Sequence, residues 1–225
     1  MLNHCLGGSV THKVCVLLSG CGVFDGAEIH ESVATLLALS KAGAEVIFAA
    51  PDRIQHHVVN HLDGTEMTET RNIRVEAARI ARGNVFPVTE VNVNDIDALF
   101  IPGGFGAAKN FCSFAFEGAN ASIEDDIKSL IQAVHQANKP IGAVCIAPAV
   151  LALSLGKGTL TIGSDSGTAE ALESLGATHQ VCPVTEMVVD AENKLVTAPA
   201  YMEDAAIHEV AEGIEKAVLA VLKLC

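Results

Sequence analysis

The chain has 225 residues, half of them apolar, enough for a sizeable buried core and few enough for one domain. With 27 acidic against 14 basic residues its net charge is −13, which disfavours nucleic acid as a partner. Its seven cysteines are odd in number and lack CxxC or zinc-type Cys/His spacing, so they predict reduced thiols and no metal centre.

Taken in order, the opening "MLNHCLGGSVTHK" lacks the basic and apolar regions of a secretory signal, and residues 1–12 read as a flexible extension. No run approaches 18 uninterrupted apolar residues, so no membrane association is expected. A soluble cytoplasmic protein follows, or one of the mitochondrial matrix if a transit segment has been removed. "KVCVLLSG" (13–20) predicts the first strand, 26–43 an amphipathic helix stopped by Gly43, and 44–51 the second strand. "QHHVVNH" reads as a polar surface loop around His56, His57 and His61. A second helix is expected over 67–83, and this segment with the loop before it serves as a lid or a dimer contact.

"IDALFIPGG" (96–104) predicts a central strand ending in two glycines, and 122–140 a long helix with Ser122 as its N-cap. Strand 141–144 then runs into a corner at Cys145 and a helix over 147–155. A further strand (158–164), a helix (167–177), a hairpin (186–199) turning at "AEN" and a terminal helix (202–225) complete the chain. Short apolar runs alternating with helical segments are the pattern of a mainly parallel sheet covered on both faces, an α/β sandwich of three layers.

In such sheets chemistry gathers where strands end and helices begin. Cys145 stands on a strand-to-helix turn, the geometry of a nucleophile elbow, and the helix dipole is expected to lower its pKa. The backbone N–H of Ile146, with a second from "PGG" at Gly104, would form an oxyanion hole. Glu28 and Glu31, three apart on the first turns of the helix that follows the first strand, share a face at the same sheet edge and are candidate bases. His30 points away from that face.

The run "LSGCGVFDGAEIHE", "TRNIRVEAARIARG", "PGGFGAAKN", "KPIGAVCIAPA", "TIG" and "TAEALESLGA" resembles the enhancing-lycopene-biosynthesis, or sigma cross-reacting, protein family. That family is a branch of the class I glutamine amidotransferase-like superfamily, with the Parkinsonism-associated deglycase and PfpI. The resemblance implies a single flavodoxin-like domain, a reactive Cys145, and Glu31 as the glutamate beside it, with Glu28 one turn earlier. It also implies glyoxalase-type hydro-lyase activity on a small dicarbonyl without a cofactor, and leaves a homodimer open.

Two departures bear on this. "VTAPAYMED" has no histidine where an amidotransferase triad needs one, so glutamine hydrolysis is not expected. Ile146 follows the cysteine where protease-like relatives have histidine, and "LTIG" ends in Gly163 where the deglycase has one. Cys145 is therefore expected to work with a carboxylate. The competing readings are a redox sensor, with Cys21 as a resolving thiol, and a regulatory protein of isoprenoid metabolism.

Overall fold

The computed structural model describes residues 11–225. The flexible extension expected over 1–12 lies, but for its last two residues, outside the described residues. Seven strands form the central sheet: β1 (Lys13–Leu17), β2 (Glu45–Ala50), β3 (Phe86–Pro87), β4 (Ala98–Ile101), β5 (Ile141–Val144), β8 (Val188–Asp190) and β9 (Leu195–Ala198). Their order is β3-β2-β1-β4-β5-β9-β8, and every pairing is parallel except β8 with β9. The four strands expected to form the core thus lie together in one sheet, and the hairpin turns where "AEN" placed it.

Alternation along the strands explains the three layers. Val14, Val16, Ala98 and Phe100 face one side of the sheet. There they pack against α1 (Ile29–Lys41), α2 (Ile73–Ala81) and α8 (Ile207–Leu224). Cys15, Leu17, Leu99 and Ile101 face the other side, against α3 (Phe105–Asn110), α5 (Asp125–Gln136) and α6 (Pro148–Leu155). The apolar burial on both faces makes these strands read as continuous hydrophobic runs. The flavodoxin-like α/β sandwich of the sequence reading is the observed fold.

Several boundaries differ from expectation, for local reasons. The helix expected over 67–83 begins only at Ile73, because Asn72 caps it: its side chain accepts from the Val75 N–H. Residues before it pair as isolated bridges, Ile54 with Asn72 and Val59 with Glu66. The helix expected over 122–140 starts after Glu124, while Ser122 donates its N–H to the Ser113 hydroxyl instead of capping. The strand expected over 158–164 is only β6 (Thr159–Leu160), paired with β7 (Thr178–His179) in a separate small sheet. Between them lies α7 (Ser166–Ser174), and the 3-10 turn Ala200–Met202 stands where the terminal helix was expected to start. The short helices α3 and α4 (Phe114–Glu117) were not anticipated.

Candidate active site

Cys145 directly follows β5 and takes φ +60°, the left-handed conformation that a non-glycine residue adopts only where the surrounding structure enforces it. Enforcement is visible on both sides: its N–H donates to the Ala198 carbonyl at 3.0 Å, and the Ala147 N–H closes back on the Val144 carbonyl at 3.0 Å. Pro148 then opens α6, where its missing N–H costs nothing. The elbow expected from the sequence is present. The backbone N–H groups of Gly104 and Ile146 act on the Cys145 sulfur, each favouring thiolate.

Glu31 reaches the same sulfur from α1 and is wholly buried. Its Oε2 accepts from the Gly103 N–H at 2.9 Å and its Oε1 from the Tyr201 N–H at 3.2 Å. Gly103 also accepts, through its carbonyl, the Glu28 N–H at 3.0 Å, so the "PGG" turn is stitched to the start of α1 from both ends of one residue. A side chain at Gly103 has no room: its Cβ would lie 2.4 Å from the Cys145 Cβ and 2.8 Å from Glu31 Oε2.

Burial raises the Glu31 carboxyl to about 7, reinforced by the charge of Glu28 and opposed by the N–H groups of Tyr201 and Gly103 and by the neighbouring Cys145 thiol. The thiol expected to be acidic is instead pushed well above its ordinary value, first by burial and then by the Glu31 charge. Those two effects outweigh the N–H groups of Gly104 and Ile146, because the sulfur lies under the surface and not at an open helix end. Near neutral pH the pair therefore carries a thiol beside a carboxyl poised to take or give one proton.

Above the pair opens a cavity of about 390 Å³ lined by Val23, Glu28, Gly104, Phe105, Cys145, Ile146, Thr168, Tyr201 and Met202. Glu28 is the N-cap of α1, its Oε2 accepting from the Glu31 N–H at 2.7 Å, and it is one of the residues lining this cavity. Four of the five residues singled out in the sequence, Glu28, Gly104, Cys145 and Ile146, thus line one space, and Glu31 lies wholly buried behind it. His30 is exposed, as expected, but its Nδ1 lies 2.9 Å from the Tyr201 hydroxyl at the rim. Cys21 is not among the lining residues. Its thiol is raised by burial, with Glu76, Arg79 and Asp25 as its charged neighbours, which gives no support to a resolving role.

Tyr201 was missed by sequence reasoning. The stretch "VTAPAYMED" holds no histidine, and its contribution to the site is a backbone N–H, that of Tyr201, which follows Ala200 at φ +47°. No side-chain pattern carries that signal.

A model of the DJ-1/PfpI family matches residues 12–208. The chain belongs to the DJ-1/PfpI family. This agrees with the wider superfamily expected from the motifs. Among DJ-1/PfpI relatives, the human "glutamine amidotransferase-like class 1 domain-containing protein 3, mitochondrial" is 44% identical over 222 residues, 94% of this chain and 83% of that protein. A solved structure from Ehrlichia chaffeensis, described as an isoprenoid biosynthesis protein with an amidotransferase-like domain, is 37% identical. It covers 95% of this chain and 99% of that one at a TM-score of 0.89. Glyoxalase III from Candida albicans shares the DJ-1/PfpI fold, at a TM-score of 0.59 and 17% identity over 93% of this chain and 97% of that one.

Proposed function

We propose that the chain is a cofactor-independent glyoxalase-like enzyme of one amidotransferase-like domain, in the enhancing-lycopene-biosynthesis branch, converting glyoxal or methylglyoxal to the 2-hydroxy acid. The observation that carries this reading is the buried Glu31 carboxyl beside Cys145 beneath the cavity, the two side chains pressed against the same face of Gly103. The DJ-1/PfpI family includes a glyoxalase III, which supports the choice of reaction.

The chemistry follows from the pair. The Cys145 sulfur adds to one aldehyde carbon as its proton passes to Glu31, giving a hemithioacetal. The N–H groups of Gly104 and Ile146 stabilise the alkoxide until Glu31 passes that proton on to it and is a carboxylate again. Glu31 then takes the proton from the hemithioacetal carbon and returns it to the neighbouring carbon, while the hemithioacetal hydroxyl proton passes to the neighbouring oxygen, through an enediol. The product is a thioester of the 2-hydroxy acid, which water hydrolyses to regenerate the thiol. A carboxyl with a pKa of about 7 suits both directions of that transfer near neutral pH. Glu28, one turn earlier, acts through its charge on Glu31. Among the described residues no histidine lines the cavity, which supports a reaction other than glutamine hydrolysis.

Among the described residues no helix is long and apolar enough to cross a membrane. We place the protein in the cytoplasm or, by analogy with its mitochondrial relatives, in the matrix. Family members commonly form homodimers, and the same is proposed here. A second reading, a regulatory role in isoprenoid metabolism, rests on the description of the Ehrlichia protein. Steady-state glyoxal consumption with intact-mass trapping separates the two. A Cys145 adduct and turnover that vanish in Cys145→Ser are expected of the enzyme, whereas a wild-type protein that neither consumes glyoxal nor forms the adduct would leave the regulatory reading.

A further inference from the structure

The proton transfers above need one carboxylate, yet the cavity holds two. Glu28 is 8% exposed and lines the cavity in its own right. Its position is fixed, because Oε2 is tied to the Glu31 N–H at 2.7 Å and its backbone is tied to Gly103. Its charge is felt inside: it helps push up both Glu31 and the Tyr201 phenol.

No cationic side chain in the lining offsets it. Among the described residues no Lys or Arg lines the cavity, and the walls beside Glu28 are the apolar side chains of Val23, Phe105, Ile146 and Met202. Lys109 does approach one wall from outside, 5.2 Å from the Phe105 ring centroid, but its ammonium donates to the Phe24 carbonyl at 2.9 Å. Apolar walls exclude the water that would screen a charge, so a fixed carboxylate acts on an entering group at an effective dielectric well below that of water.

We infer that Glu28 is a specificity-determining residue whose fixed carboxylate makes the Cys145 cavity admit uncharged electrophiles and turn away carboxylated ones, such as 2-oxo acids and their aldehydes. The inference deepens the proposed function, since it rests on Cys145 as the nucleophile of this cavity, and it limits the substrate class to neutral dicarbonyls.

Iodoacetamide and iodoacetate test it, because they are nearly the same size, alkylate the same sulfur and differ by one charge. Rates at Cys145 are followed on the full chain by intact mass and peptide mapping at about pH 8, with 2-mercaptoethanol as the reference thiol. The amide-to-carboxylate rate ratio at Cys145 is expected to exceed the reference by on the order of 10–100-fold, the scale of one nearby charge at an effective dielectric of about 20. Glu28→Gln should bring the ratio back to within several-fold of the reference, while Glu28→Asp, which keeps both charge and cap, should hold it high. A wild-type ratio equal to the reference would overturn the filter. A high ratio that survives Glu28→Gln but is lost in Glu31→Gln would move the filter to Glu31 and overturn the assignment. The readout needs no turnover, so a protein inactive on glyoxal with its ratio retained would sink the proposed reaction and leave the filter standing.

Discussion

At the scale of single residues, the site is governed by a contest over one proton. Burial disfavours the charged form of both Cys145 and Glu31, and each charge disfavours the other, so the two titrate as a pair. The pH profile of kcat/KM for glyoxal should therefore show an apparent pKa near 7, set by the Glu31 carboxyl, where an unpaired glutamate would titrate near 4.5. In Glu31→Gln that limb should vanish. Stopped assays across about pH 5–9 check it, and a profile unchanged in the variant would remove Glu31 from the proton path. Gly103 gives a steric test of the same pair. Gly103→Ala places a methyl against the Cys145 Cβ and Glu31 Oε2. It should destabilise by about 1–3 kcal/mol, as overpacking does, and lower glyoxal kcat by at least about tenfold. A variant with parental melting and turnover would mean the contact is softer than the geometry states.

Among elements, the site depends on loops that meet it from far away in the chain. The segment between β2 and α2, expected as a lid or a dimer contact, braces the turn after β1: the Val59 N–H donates to the buried Asp25 Oδ2 at 2.8 Å. Asp25 stands two residues from Val23 of the cavity wall. Asp25→Ala strands that donor and should cost about 1–3 kcal/mol, read by urea denaturation; a loss under about 0.5 kcal/mol would show that water replaces the partner. The elbow at Cys145, the paired donors at Gly104 and Ile146 and the helix carrying Glu28 and Glu31 were legible because each is a local event, a strand end or a helix start. The Tyr201 N–H on Glu31 was not, since it joins groups 170 residues apart through the backbone. The acidity expected of Cys145 failed for a related reason. A helix dipole can be read from the order of strand and helix, whereas burial and the neighbouring charge of Glu31 exist only after folding.

Across the whole molecule, the parallel sheet holds three corners at one edge, the ends of β1, β4 and β5, and the site is their meeting point. The succession of short apolar runs and helical segments that builds this sheet was plain in the sequence. The short edge strand β3 and the detached pair β6 and β7, each of two residues, carry too little pattern to be seen. Burying Glu31 also leaves a mark on global stability. Its folded pKa of about 7 lies above the ordinary 4.5, so the native state holds an extra proton between the two. This contribution is fully present below the ordinary value and is lost as pH rises through about 7. Wild type should lose about 2–3 kcal/mol more than Glu31→Gln between about pH 5 and pH 8, measured by urea unfolding, and equal losses would contradict a buried, raised carboxyl. The most direct test of the account as a whole is the glyoxal kcat of Glu31→Gln, purified folded, beside the wild type. A fall of roughly 10²–10⁴ is expected if this carboxyl moves the proton for Cys145, and turnover equal to the wild type would contradict the Cys145 and Glu31 mechanism outright.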